Sequence, residues 1–452
     1  MQARISESTR RDAASTCAPG NMEKSARRIV EKLRLHGHEA FFAGGWVRDF
    51  LLRRKPKDVD IATSAPPDAV LRLFPRSTAI GAQFGVVQVH MYGRDFEVAT
   101  FRSDHAYLDG RHPSSVTYSG PEQDALRRDF TINGLFYDPI GGRVIDFVHG
   151  KNDLQGKRLR TIGEPRLRFA EDKLRMLRAA RLACELGFTI VPETFGAIME
   201  LAPGILQVSW ERIRDEVLKL LTGPAPDRGL ELLEQSGLLA HILPEIAATR
   251  GISQSAANPA RGDVLDHTRK TLALLRRPSK VLALGALLHD SGKPSTYSAD
   301  PGECFKDHAA AGSRIAEEVC RRLRMSNQET DETTDLVSNH TEFLRAAEMR
   351  ESALIRFLRN PGFAAHLELF RANSLGSGHD LKLYRLWLEK LKQYSPVLSA
   401  VPLINGDDLI RMGYEPGPVY KEILRSVEDL QLEGRIHTRE EALSYVKQSY
   451  PL

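Results

Sequence analysis

The chain has 452 residues, 42% of them hydrophobic and 27% charged. That composition excludes a wholly disordered or collagen-like chain, and the length suggests about three compact domains at roughly 150 residues each. Its 63 Lys and Arg against 59 Asp and Glu leave a formal charge of +4, so whole-chain charge only hints at a polyanionic partner. The four cysteines, Cys17, Cys184, Cys304 and Cys320, are scattered with no CxxC pair. That argues against a disulfide framework or a zinc ribbon and makes the cytoplasm the expected location. The longest apolar run, Val281–Leu288, is interrupted by Gly285 and falls well short of the roughly 20 residues that span a bilayer, so no membrane association is expected. The first 22 residues lack an apolar h-region and read as a disordered tail, extended here to residue 24.

Ala26, Ile29, Val30 and Leu33 have helical spacing. His38 to Ala43 reads as a strand running into Gly44-Gly45, followed by a helix from Trp46 to about Arg54. KPKDVDIAT is a turn and then a strand. Residues 85–90 and 94–100 form a predicted β-hairpin around Tyr92-Gly93. Residues 103–120, rich in Gly, Pro, Ser and charge, read as a mobile loop. Asn133–Tyr137 and Arg143–Val148 are further strands, so residues 25–150 are mixed α/β. From about residue 153 helical periodicity dominates, with Gly/Pro punctuation, and no internal repeat is visible.

Strand side chains alternate faces, so Asp58 and Asp60 on one strand would point the same way, with Val59 facing the core. Two like charges so close repel, and a divalent cation removes that cost. Hard oxygen ligands favour Mg2+ or Mn2+. Taken alone, Asp-x-Asp is more often a solvated turn. Upstream, Gly44-Gly45 before a helix would let backbone amides approach a phosphate, with Arg48 one turn in.

The run FFAGGWVRDFLLRRKPKDVDIATSAPPDAV resembles motif A of the polymerase β-type nucleotidyltransferases. More narrowly, it resembles the class II tRNA nucleotidyltransferase and bacterial poly(A) polymerase family. The resemblance continues through RRDFTINGLFYDP, DLQGKRLRTIG, RFAEDKLRMLRAARLA and SWERIRDEVLKLL, five ordered blocks over about half the chain. It implies an α+β fold: a polymerase β-like palm of mixed sheet plus helices, then an all-helical neck, body and tail. The expected division is a palm over 25–150, a neck for base recognition and RNA binding over 151–225, a body over 226–400 and a tRNA-contacting tail over 401–452.

The resemblance also implies roles. Asp58 and Asp60 would bind two metal ions, with Glu97 on the neighbouring strand as a third carboxylate. Gly44, Gly45, Arg48 and Arg128 would meet the triphosphate, and Asp129 and Asn133 would lie near the ribose. In the motif EDxxR, Asp172 and Arg175 would share a helix face, and a carboxylate beside a guanidinium can mimic a Watson–Crick edge. Cytosine and adenine each offer an amino donor and a ring-nitrogen acceptor, so that pair would accept CTP and ATP. Arg178 and Arg181 continue the spacing, with Leu174, Leu177, Ala180 and Cys184 on the opposite, core face. Residues 157–181 carry nine Lys/Arg and three acids, a concentration that suits triphosphate and RNA phosphates. The segment 101–118 occupies the family's flexible-loop position, which supports the switch from C to A addition.

His267, His289-Asp290 and His308 sit in HTRKTLALL, ALLHDSGKP and FKDHAAAG. They resemble the HD superfamily, whose metal site uses scattered histidines and an adjacent His-Asp, and His340 is a further candidate. Where that pattern expects a last acid, Asn373 stands, and an amide is a weaker ligand. The expected function is therefore addition of CMP and AMP from CTP and ATP to the tRNA 3′ end, with no obligate protein partner. Alternatives are an A-adding enzyme or a poly(A) polymerase, a phosphohydrolase working through the HD half, or a non-catalytic RNA-binding protein.

Overall fold

Residues 19–81, 85–104, 115–254, 262–298, 305–345, 349–398 and 401–451 are described in a computed structural model. The chain forms two compact units. The first runs to Glu216 and includes Gln235–His241; the second comprises Val217–Glu234 and the chain from Ile242 onward.

The first unit opens with helix α1 (Pro19–Leu35), whose Ala26, Ile29, Val30 and Leu33 are fully buried. It starts inside the stretch expected to be a tail. Next come β1 (Ala40–Ala43), α2 (Gly45–Leu51), β2 (Asp60–Thr63), α3 (Pro67–Leu73), β3 (Ser77–Gly81), β4 (Val86–Met91) and β5 (Arg94–Thr100). The short strands β6 (Arg102–Asp104) and β7 (Val116–Tyr118), helix α4 (Pro121–Leu126), β8 (Leu135–Asp138) and β9 (Arg143–Asp146) complete the palm. One seven-stranded sheet has the order β3-β4-β5-β2-β1-β8-β9. All its neighbours are antiparallel except β2 and β5, which run parallel with Ile61 beside Val98. Tyr92 (φ 51°) and Gly93 (φ 74°) both turn left-handed between β4 and β5, which suits the right-handed twist of a two-residue hairpin. Phe41, Phe101, Phe136, Val148 and Ile162 form a core on the sheet. Burying each such side chain contributes about 2 kcal/mol.

Helices then take over: α5 (Gly150–Gln155), α6 (Pro165–Glu171), α7 (Leu174–Leu186), α8 (Pro192–Leu201) and α9 (Trp210–Leu221). Two short strands, β10 (Arg158–Leu159) and β11 (Thr189–Ile190), pair in parallel within this region. Two residues carry no period, so sequence reading missed them. The second unit is helical among the described residues. One apolar core centres on Trp387, Phe343, Phe363 and Phe370, and another on Ile404, Leu409, Ile423 and Val446.

Candidate functional site

Strand β2 begins at Asp60, not at Asp58. Its partner β1 ends opposite, with Ala43 beside Asp60, before the chain turns at Gly44. Asp58 therefore lies in the lead-in to β2, without a ladder partner. The parallel register puts Glu97 at the same strand end as Asp60, while Ile61 and Val98 face the core at 0% exposure. Asp60 is half-buried; Asp58 and Glu97 are exposed. Burial, then repulsion from Asp58 and Glu97, pushes the Asp60 carboxyl up to about 6, against the opposing pull of Arg128. Three carboxylates thus converge where positive charge is deficient.

Gly44 has φ 65°, and a Cβ there would stand 3.2 Å from Arg128 Nη1 and 3.8 Å from Asp60 Oδ2. Glycine is needed both for the backbone conformation and for the close approach. Helix α2 has only seven residues, so its amides and the neighbouring arginines matter more for an anion than its macrodipole. Arg48 is turned inward: it is 7% exposed, pairs with Asp49 at 2.8 Å and donates to Asn133 Oδ1 at 2.9 Å. Asn133 donates to Asp129 Oδ1 at 3.0 Å, and Arg178 pairs with Asp129 at 2.8 Å. Burial alone would raise the Asp129 carboxyl, but Arg178 and hydrogen bonds from Asn133 and Phe130 hold it down at about 2.

The expected Asp172–Arg175 pair does not share one helix. The chain breaks between α6 and α7, with Asp172 extended at φ −143°, ψ 104°. Asp172 Oδ1 instead caps Leu174 N at 3.1 Å, and Oδ2 accepts from Arg212 at 2.7 Å. Arg175 donates to Glu171 at 2.6 Å, to Arg168 O at 3.1 Å and to Arg127 O at 3.4 Å. Each partner is thus engaged elsewhere, though both stay within one turn of the break. Sequence reasoning missed Arg212. It also missed Glu171 as the partner of Arg175, although the i, i+4 spacing between them was a signal that could have found it.

The basic run 157–181 is largely spent internally. Arg158 and Arg160 meet Asp153, Arg166 meets Glu200, Arg168 meets Glu171, Arg178 meets Asp129, and Arg181 meets Glu216. The expected core face holds, with Leu174, Leu177, Ala180 and Cys184 all buried. Of the segment 101–118, residues 105–114 lie outside the described residues, while its ends pair as β6 and β7.

In the second unit, His267, His289, His308 and His340 converge on Asp290. His289 Nε2 lies 3.3 Å and His267 Nε2 3.7 Å from Asp290 Oδ2; His308 and His340 lie 3.6 and 3.7 Å from Oδ1. The rings pair through Nε2, His267 with His289 at 3.2 Å and His308 with His340 at 3.1 Å. Burial lowers His308, and brings His340 down to about 3 and His267 to about 4. In His308 and His340 the Nδ1 donates to the carbonyls of Phe305 and Val337. Neutral rings so oriented present bare Nε2 lone pairs to each other, a contact that a cation relieves. Imidazoles with a carboxylate suit a transition metal. Lys293, 2.8 Å from Asp290, partly compensates the buried acid. Asn373 lies beside His267 and brings no charge.

Comparison with known proteins adds to this geometry. Residues 40–160 match the Poly A polymerase head domain family, residues 187–249 the "Probable RNA and SrmB-binding site of polymerase A", and residues 308–446 tRNA nucleotidyltransferase domain 2. The CCA-adding enzyme of Geobacillus sp. (strain WCH70) is 34% identical over 418 residues, covering 92% of this chain and 94% of that one. The Geobacillus stearothermophilus CCA-adding enzyme is 45% identical over 215 residues, 47% of this chain and about half, 53%, of its own length. The crystal structure of the Bacillus stearothermophilus CCA-adding enzyme in complex with CTP superposes with a TM-score of 0.74 at 29% identity, covering 96% of this chain and 98% of that one.

Proposed function

This chain belongs to the CCA-adding enzyme family, and we propose from that premise and the palm geometry that it adds CMP and AMP from CTP and ATP to the 3′ end of tRNA without a nucleic-acid template. The observation that carries the chemistry is the convergence of Asp58, Asp60 and Glu97 beside Arg128. The family works with divalent metals, and the charge-deficient carboxylates fit them. Two Mg2+ or Mn2+ ions held by Asp58 and Asp60 would lower the pKa of the RNA 3′-hydroxyl and neutralise the triphosphate.

The remaining roles belong to the chain's own residues. Arg128, over Gly44, receives the triphosphate, and Gly45 lets it approach the backbone. Asn133 and Asp129 bind near the ribose, Arg48 and Arg178 hold that wall in place through the buried pairs described above, and Arg181 fixes Glu216, which lies 3.9 Å from Arg178. Asp172 and Arg175 read the base edge once nucleotide replaces their present partners. Such nucleotidyl transfer needs positioning and charge neutralisation, and no side-chain nucleophile.

The test uses tRNAs ending before, within and after CCA, with CTP or ATP supplied separately. CTP extending the shortest tRNA by two residues and ATP then adding one supports the assignment. Extension by A alone, or by a long A tract, replaces it with A-addition or poly(A) synthesis.

A separate reading concerns the second unit. The opposed bare Nε2 atoms support a transition-metal site formed by His267, His289, Asp290, His308 and His340, an HD-type centre weakened by Asn373.

A further inference from the structure

Asp124 is an acid that neither the reaction above nor the sequence motifs use. It sits on α4 and is 1% exposed. Its Oδ1 accepts from the backbone amide of Arg102, the first residue of β6, at 3.3 Å and from Arg127 Nε at 2.9 Å. Its Oδ2 accepts from Arg128 Nε at 3.2 Å and Nη2 at 2.9 Å. The far side of the same Arg128 guanidinium reaches over Gly44, and its Cζ lies 5.1 Å over the Phe136 ring. Arg128 is therefore held firmly by one edge and one face, while its Nη1, at the Gly44 side near Asp60, makes only a long 3.5 Å hydrogen bond to Asn133 O.

Without that hold, the nearest strong attraction for Arg128 is the Asp58/Asp60/Glu97 cluster. A guanidinium that falls onto those carboxylates is lost to an incoming anion. A fully buried carboxylate that binds two arginines and a strand amide is a fixed anchor, since its own burial is tolerable only while all three donors are in place. We propose that Asp124 is a positioning residue that ties the root of the β6–β7 hairpin to Arg127 and Arg128 and keeps the Arg128 guanidinium aimed at the nucleotide triphosphate, not at the acidic cluster. This role rests on the nucleotidyl-transfer reading above.

The experiment measures CTP and ATP binding to the full chain, and incorporation on tRNA lacking its terminal CCA. Losing one charge-assisted contact to Arg128 should raise Kd and KM for both nucleotides about ten-fold in Asp124→Asn, with KM for tRNA changed by less than about two-fold. In an Arg128→Gln background the same substitution should shift nucleotide binding by less than about two-fold, because the residue it acts through is gone. Asp124→Glu keeps the charge one methylene away and should show about a three-fold shift. It decides the matter if Asp124→Asn does not fold. Unshifted nucleotide binding, or equal shifts in both backgrounds, overturns the role while leaving the reaction standing. A wild-type chain that incorporates nothing overturns both.

Discussion

Arg212 Nη2, on α9, donates to Asp172 Oδ2 at 2.7 Å, at the break that separates α6 from α7. The carboxylate proposed to read the base edge is thus oriented by a residue forty positions later in the chain. Arg212→Ala should leave turnover measurable but weaken discrimination against GTP and UTP by about ten-fold, the effect of freeing one hydrogen-bonded charge. Arg175→Ala should broaden nucleotide choice further or collapse turnover. Single-nucleotide incorporation from each of the four triphosphates checks both, and unchanged selectivity in the two variants would remove the base-reading role.

Asp58→Ala and Asp60→Ala should each lower incorporation by about a thousand-fold or more, as expected when a cation-binding carboxylate is lost. Both should keep the wild-type circular dichroism spectrum, because Asp58 is exposed and Asp60 only half-buried. Asp60→Ala should leave the thermal melting temperature unchanged or raised, since it relieves like-charge repulsion from Asp58 and Glu97. Near-wild-type incorporation in either variant would remove the acidic cluster from the reaction.

The histidine centre predicts bound metal independent of the palm. The wild-type chain equilibrated with Zn2+ or Mn2+ and dialysed should retain metal by elemental analysis. Asp290→Asn and His340→Gln should each weaken retention by about ten-fold or more. Asp60→Ala should retain it in full. Metal-free wild type after this treatment would dismiss the centre.

The Asp129–Arg178 pair predicts an acid limb in stability. The folded Asp129 carboxyl titrates at about 2, below its ordinary 3.8. Its contribution is therefore fully present above the ordinary value and is lost as pH falls from 3.8 toward 2. Asp129→Asn leaves Arg178 only the more distant Glu216, at 3.9 Å, and should lower stability at neutral pH by about 2 kcal/mol. It should also flatten the pH dependence between 4 and 2 in denaturant titrations. An unchanged acid limb would show that the pair contributes nothing there.

Much of the palm was legible because its signals are local. The Tyr92-Gly93 hairpin, the helical spacing of Ala26 to Leu33 and the strand before Gly44 each follow from a short window of side chains. Gly44 itself was legible as a turn, but its second reason, room for Arg128, required the tertiary fold. The break at Asp172 was not legible, because the residues on both sides are good helix formers and the interruption is stabilised by a distant arginine. The basic run 157–181 misled for a related cause: its acids, Asp129, Asp153, Glu200 and Glu216, lie outside the window in which charge was counted. In the second unit the His-Asp dipeptide marked the centre, while the ring tautomers that make it hungry for a cation are set by carbonyls no motif records.

The single parallel pairing in the sheet, β2 beside β5, has a consequence for biogenesis. Asp60 and Glu97 meet only after the β3–β4 excursion has been made and the chain has returned to lay β5 against β2. Such non-local contacts form slowly during folding. A nascent chain still short of β5 carries both aspartates yet has not gathered them with Glu97, so the acidic cluster assembles only once that crossover closes.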